Sequence, residues 1–281
     1  MKWVLGQRRR QCICVLLLLG TLTVGGALAG DGRAQSEGFA YTADLKGEID
    51  ATARRELDLV LEDAKRKHAR LVILRLDTPG GEAETARAMS SALLAEPLPV
   101  VVYVAPDGSR AGSAGVFLTL AGDVAAMAPQ TNIGSASPLL VGPQGVVEAP
   151  RVLYRKVVND YAAYVRTLAE GHGRNADLAE RMVRQGTNVT ATRARRERLV
   201  DLVAGSEAAL LKRLDGFRVK GRKAQVLRTA GLRILRSDLP DEDPDSPGDG
   251  TLVLGLGLPG LIAIGMVATM VAILIRQLAR S

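Results

Sequence analysis

Three features of the sequence predict an α/β domain. Apolar runs of strand length lie at 71–76, 99–104 and 123–127, stretches of helical periodicity alternate with them, and glycine- or proline-rich links join the two kinds of segment.

Taken in order, residues 39–45 read as a strand and the charged stretch 51–68 as an amphipathic helix. Leu57, Val60, Leu61 and Ala64 form its apolar face, and His68 closes it where a cation suits a helix C-terminus. The strand 71–76 turns at Asp77-Thr78-Pro79-Gly80-Gly81 into a helix over 82–95. The strand 99–104 leads to Gly108-Ser-Arg-Ala-Gly-Ser-Ala-Gly115, and the small apolar residues 114–120 continue as a helix. After the strand 123–127, residues 129–138 read as a loop and 139–150, with Gly142-Pro-Gln-Gly145 at the centre, as a hairpin or flap. Residues 151–170 are strongly helical, with Val157, Tyr161, Tyr164, Val165 and Leu168 facing a core and Lys156 beside that stripe. Asn175 caps a helix to about 185, and Thr190 caps another that contains Arg193, Arg195, Arg196 and Arg198. His172, between Gly171 and Gly173, is expected as an exposed loop residue. Residues 199–203 form a strand, Ser206 and Glu207 open a short helix, and 217–235 alternate basic and apolar residues like a strand pair.

The two ends differ from this domain, which occupies 38–236. Lys2 and Arg8 to Arg10 precede an apolar stretch that reaches Ala27-Leu28-Ala29, so 1–29 reads as a secretory signal, or else as an uncleaved anchor. Residues 237–250 are acidic and rich in Pro and Gly, which makes a linker. Residues 251–275 carry no charge and as a helix would extend roughly 37 Å against a hydrocarbon core of roughly 30 Å, giving one C-terminal transmembrane helix. Arg276 and Arg280 mark its cytoplasmic end. The domain is therefore expected at the cell membrane, on the extracytoplasmic side.

Composition narrows the chemistry. The 281 residues carry a net charge of +7, but the arginines are scattered and three Phe, five Tyr and one Trp offer little for stacking on bases, so nucleic acid is not an expected partner. Both cysteines, Cys12 and Cys14, lie in the first apolar run, and the only histidines are His68 and His172. No metal or other cofactor is expected, and a histidine-based triad has two candidates only.

Ser113 stands where a strand meets a helix, so the first helical N–H groups are free to face a developing oxyanion. A capping serine in a glycine-rich turn has the same local signature, and the spacing is not that of the Gly-x-Ser-x-Gly elbow, because position 111 is Ala. Ser135 and Ser137 are rival serines without a following apolar helix.

Leu76-Asp-Thr-Pro-Gly-Gly81, Ala111-Gly-Ser-Ala-Gly115, Met127-Ala-Pro129, Asn132-Ile-Gly-Ser-Ala-Ser-Pro138 and Lys156-Val-Val-Asn-Asp together resemble the membrane-bound serine proteases of the NfeD type, relatives of the Clp protease subunit and of signal peptide peptidase A. The resemblance runs in order over roughly residues 40 to 205. It implies a Clp protease- or crotonase-like fold of stacked β-β-α units and a Ser-Lys dyad of Ser113 and Lys156. The implied oxyanion donors are backbone amides of Gly81 or Gly80 and of Ala114. It also implies cleavage of apolar segments of membrane-associated proteins, a stomatin-like partner, and a dimer or larger homo-oligomer. The alternative is an idle groove that binds a partner as an assembly factor.

A lysine accepts the serine proton only when neutral. Bringing its pKa from about 10.4 to about 7–8 destabilises the charged form by roughly 4 kcal/mol, which desolvation can supply. Leu153, Val157 and Val158 are the expected apolar setting for Lys156, while Asp160, one helical turn on, would oppose it as an ion-pair partner.

Overall fold

The computed structural model describes residues 38–139, 141–142, 145–146 and 150–238. The expected signal or anchor, nearly all of the linker and the transmembrane helix at 251–275 lie outside these residues. Among the described residues no helix is long and apolar enough to cross a membrane.

The domain is built from a repeated sequence of long strand, short extended segment and helix. Phe39–Lys46 (β1) is followed by Ile49 and Ala51–Arg66 (α1), with the Asp50 carboxylate accepting from the Ala53 N–H at 2.9 Å as the helix cap. Leu71–Asp77 (β2) is followed by the Gly80-Gly81 turn and Ala83–Ala95 (α2). Val100–Val104 (β3) is followed by Arg110–Gly112 (β4) and Ala114–Ala121 (α3). Val124–Met127 (β5) is followed by Asn132–Gly134 (β6), the antiparallel pair Val141–Gly142 (β7) and Gly145–Val146 (β8), and Arg151–Gly171 (α4).

Ala176–Arg184 (α5), Asn188–Thr190 (β9), Ala191–Arg196 (α6), Leu202–Val203 (β10), Glu207–Leu214 (α7) and Arg233–Arg236 (β11) complete the described domain. The four long strands, flanked by β10 and β11, form one six-stranded parallel sheet in the order β10-β5-β3-β2-β1-β11. The short segments form a second layer at its edge. Ile49 bridges Gly81, Thr78 bridges Ala111, and β4, β6 and β9 make a three-stranded sheet.

Both faces of the main sheet are covered, which is why its central strands are apolar at nearly every position. Val72, Leu74, Leu76, Val100, Val102 and Val104 pack on the side of α1, α2 and α3. Leu71, Ile73, Val101 and Tyr103 point the other way, toward Leu210, Leu211 and Leu214 of α7.

The structure corrects several expectations. Within 129–138, β6 is a strand, because Ile133 is flanked by Ala111 and Val189 across the small sheet. In 217–235 the pair reduces to one antiparallel bridge, Arg218 with Val226, while β11 instead joins β1 in parallel. The strand at 199–203 shrinks to β10, and α6 stops before Arg198, whose φ is 60°. His172 is not exposed: it is 5% accessible, with Nδ1 3.1 Å from the Leu168 carbonyl oxygen. Arg174 draws this link inward by donating to the carbonyls of Leu120 at 2.7 Å and Gly122 at 2.9 Å and to Asp201 at 2.6 Å. Burial, then the nearby Arg174 charge, lowers the His172 pKa below its ordinary value.

Candidate active site

Ser113 lies between β4 and α3 with φ 45° and ψ −110°, a conformation that a residue with a side chain rarely adopts. Backbone bonds hold it there. On one side β4 is paired to the 78–80 turn, with the Thr78 N–H donating to the Arg110 carbonyl at 2.9 Å and the Gly112 N–H donating to the Thr78 carbonyl at 3.0 Å. On the other side the Ser113 N–H donates to the Gly134 carbonyl at 3.0 Å, at the end of β6. Asp77 adds a side-chain tie, accepting from the Arg110 N–H at 3.0 Å. The result is a half-buried hydroxyl at the N-terminus of an apolar, fully buried helix.

The Gly80-Gly81 turn closes against this serine. A Cβ placed on Gly80 would stand 2.5 Å from Ser113 Cβ and 3.2 Å from its Oγ, and one on Gly81 would stand 2.3 Å from the Ile49 carbonyl oxygen. With φ 132° and 152° as well, both positions require glycine. The Gly80 N–H is already engaged, donating to Thr78 Oγ1 at 3.0 Å, while that hydroxyl donates back to the Gly80 carbonyl at 3.1 Å. Gly80 is thus occupied, whereas the N–H groups of Gly81 and Ala114 have no partner among the described residues. Of the candidate donors, Gly81 and Ala114 are the two left free.

Lys156 sits in the second turn of α4 and is exposed. No hydrogen bond joins it to Ser113 among the described residues. The apolar setting expected around it is only partly made: Val157 and Val158 are half-buried, but Val152, Leu153 and Tyr154 are 57%, 50% and 41% exposed. The expected competition from Asp160 is absent, since Asp160 Oδ2 pairs with Arg87 Nη2 of α2 at 2.5 Å.

The middle of α4 packs on α3, the helix that Ser113 opens, and is held by α2. Tyr161 donates to Glu84 at 3.4 Å, and the Arg87 guanidinium lies 4.2 Å from the centre of the Tyr164 ring. Long side chains of α2 thus reach α4 at Asp160, Tyr161 and Tyr164. Phe117, one turn into α3 from Ser113, packs edge-on against Tyr161 at 6.0 Å and stacks on Tyr164 at 5.9 Å.

The rival serines are used elsewhere. Ser135 accepts from Asn188 at 3.0 Å and Ser137 donates to the Val183 carbonyl at 2.8 Å, and neither opens a helix. Sequence reasoning missed two contributors, Thr78 and Gly134. A threonine two residues before Gly80 is the one available signal for a hydroxyl that closes the turn.

Residues 40–232 match the family described as NfeD1b, N-terminal domain. The chain is 33% identical over 187 residues to the membrane-bound protease PH1510 of Pyrococcus horikoshii, covering 66% of this chain and 42% of that protein, so it spans less than half of that relative's length. Two solved structures of 1510-N, a membrane-bound stomatin-specific protease, share the fold. One, a lysine-to-alanine variant in complex with a substrate peptide, has a TM-score of 0.69 at 29% identity and covers 74% of this chain and 95% of the other. The second, a serine-to-alanine variant, has a TM-score of 0.67 at 29% identity and covers 71% and 97%. The match over 40–232 takes in the serine turn, the paired glycines and the start of α4, and on it the chain belongs to the family of the NfeD1b N-terminal domain.

Proposed function

We propose that this protein is a membrane-associated serine endopeptidase that cleaves apolar segments of membrane-bound proteins, with Ser113 as nucleophile and Lys156 as base. The observation that carries the reading is the strained Ser113, packed against the Gly80-Gly81 turn, together with the N–H groups of Gly81 and Ala114, which have no partner among the described residues. Ser113 Oγ attacks the scissile carbonyl carbon and its proton passes to the neutral Lys156 amine. The carbonyl oxygen, now negative, is received by the two N–H groups, which typically contribute about 3 to 4 kcal/mol each to such a transition state. The tetrahedral intermediate collapses, the C–N bond breaks, and the departing amine takes the proton from Lys156. Water then attacks the Ser113 ester and gives its proton to Lys156; as the acyl C–Oγ bond breaks, Lys156 returns that proton to Ser113 Oγ, which releases the acid and restores the neutral amine.

Several observations support this assignment. The relatives are named membrane-bound proteases, and one was solved with a substrate peptide as a lysine-to-alanine variant. The stomatin specificity of the 1510-N protease motivates a stomatin-like substrate, and the uncharged run 251–275 motivates a membrane anchor with the domain on the extracytoplasmic side. The exposed apolar start of α4 is consistent with a homo-oligomer.

The second reading, an idle groove serving as a binding or assembly factor, is favoured by the exposure of Lys156 and by its lack of a bond to Ser113. A fluorophosphonate probe separates the two: the full chain should be labelled at Ser113, and the Ser113→Ala and Lys156→Ala variants should not. An unlabelled, folded wild-type chain would leave the idle groove as the correct reading.

A further inference from the structure

Two arginines grip consecutive residues of α4 just beyond Lys156. Arg87 of α2 holds Asp160 at 2.5 Å, and Arg184 of α5 donates to Asn159 Oδ1 at 2.6 Å. Arg87 also lies over Tyr164 and, at 5.8 Å, beside Tyr161, the two rings that pack on Phe117 of α3. The clamp thus ties α4 to the helices that begin at the glycine turn and at Ser113.

Without Arg87, Asp160 would be the carboxylate one turn from Lys156 on its own helix, the spacing at which a helical ion pair forms. The other charged groups near this segment are placed as follows. On α4 itself there is Arg155; on α2, Glu84 meets the Tyr161 hydroxyl; on α5, Glu180 is held by Arg184 at 2.5 Å and by Arg166 of α4 at 2.8 Å. Helix α3 brings no acidic or basic residue in its first or last turn.

We propose that Arg87 is a positioning residue: by occupying Asp160 it keeps that carboxylate from pairing with Lys156, so that the lysine can act uncharged, and it fixes the point from which the first turns of α4 project. This rests on the Ser-Lys reading. An ion pair between Lys156 and a released Asp160 would favour the protonated amine. The rate would then fall where the lysine must lose its proton and recover at higher pH.

The test uses the full chain as Arg87→Met, which keeps an unbranched stem over Tyr164 without the charge, and as the double variant Arg87→Met/Asp160→Asn. Arg87→Gln is the second choice if Arg87→Met is unfolded by circular dichroism. Cleavage of a quenched-fluorescence peptide with an apolar Val-Leu core is followed against pH. Acetylation of Lys156 by acetic anhydride, read by mass spectrometry, reports its protonation without any need for activity. Arg87→Met should cleave about two- to five-fold more slowly near pH 7 and approach the wild-type rate near pH 10, with Lys156 acetylation displaced to higher pH. The double variant should restore both profiles. Equal loss at every pH, unshifted acetylation, or no restoration in the double variant would overturn the proposal. Should Lys156→Ala keep full activity, the Ser-Lys reading fails, and the acetylation profiles still decide the inference on their own.

Discussion

Ser113 and Gly80 come so close that a side chain at position 80 would occupy the serine's place, with only 2.5 Å left between the two Cβ positions. The two residues are 33 positions apart in sequence, and the contact exists because Thr78 and Ala111 bridge between them. Gly80→Ala should therefore displace the nucleophile and, with φ at 132°, strain the turn by about 1–3 kcal/mol. Peptidase activity should fall by at least about 100-fold, while the far-ultraviolet circular dichroism stays native. Wild-type activity in this variant would show that the contact is not part of the site.

The φ of 45° at Ser113 makes a prediction with opposite signs for stability and activity. Ser113→Gly relieves the strain and should raise stability by about 1 kcal/mol, a melting-point gain of roughly 2–4 °C for a domain of this size, while abolishing cleavage. Ser113→Ala keeps the strain and should abolish cleavage without that gain. Scanning calorimetry of the two variants side by side checks this; equal melting points would mean that the serine is not strained.

Thr78 both accepts and donates within the turn, at 3.0 and 3.1 Å, and it is fully buried. Thr78→Val leaves a buried N–H without a partner and should cost about 1–3 kcal/mol in urea unfolding, with most of the activity lost. Thr78→Ser retains the hydroxyl and should recover part of the loss. If Val and Ser behave alike, the hydroxyl is irrelevant to the turn.

His172 predicts a pH dependence of stability rather than of catalysis. Burial lowers its folded pKa below the ordinary value of about 6.5, so above that pH it is neutral in both states. Below it the unfolded chain takes up a proton that the folded chain resists, and stability falls as the pH drops toward the folded pKa. His172→Gln should flatten this contribution, leaving a smaller melting-point difference between about pH 7 and pH 5 than in the wild type. An unchanged difference would assign the acid sensitivity to other groups.

Much of the fold was legible because β2 and β3 are buried on both faces and so are apolar at consecutive positions. The short strands were not. Asn132-Ile133-Gly134 carries one apolar residue and no period, and it becomes a strand only by pairing with β4 and β9. His172 was misread because its two glycine neighbours suggest an exposed turn, whereas the burial is set by Arg174 reaching carbonyls at 120 and 122. At the site, the residues around Ser113 had no distinguishing local pattern, and the family resemblance pointed to Gly80, Gly81 and Lys156. What the resemblance left open was which amides are free and where Asp160 turns. The Gly80 amide is taken by a side chain only two residues away, Thr78, whereas Asp160 is turned by a residue distant in sequence, Arg87.

The bonds that immobilise Ser113 run almost entirely between peptide groups: Thr78 with Arg110 and Gly112, and Gly134 with Ser113 itself. Every residue except proline carries the same N–H and C=O, so nearly any side chain could stand at Arg110 without loosening the serine. The geometry is therefore inherited through chain path and a few glycines rather than through side-chain identity. Homologues can drift far in composition around this loop and keep the same reactive corner, provided that positions 80, 81, 112 and 134 stay without side chains.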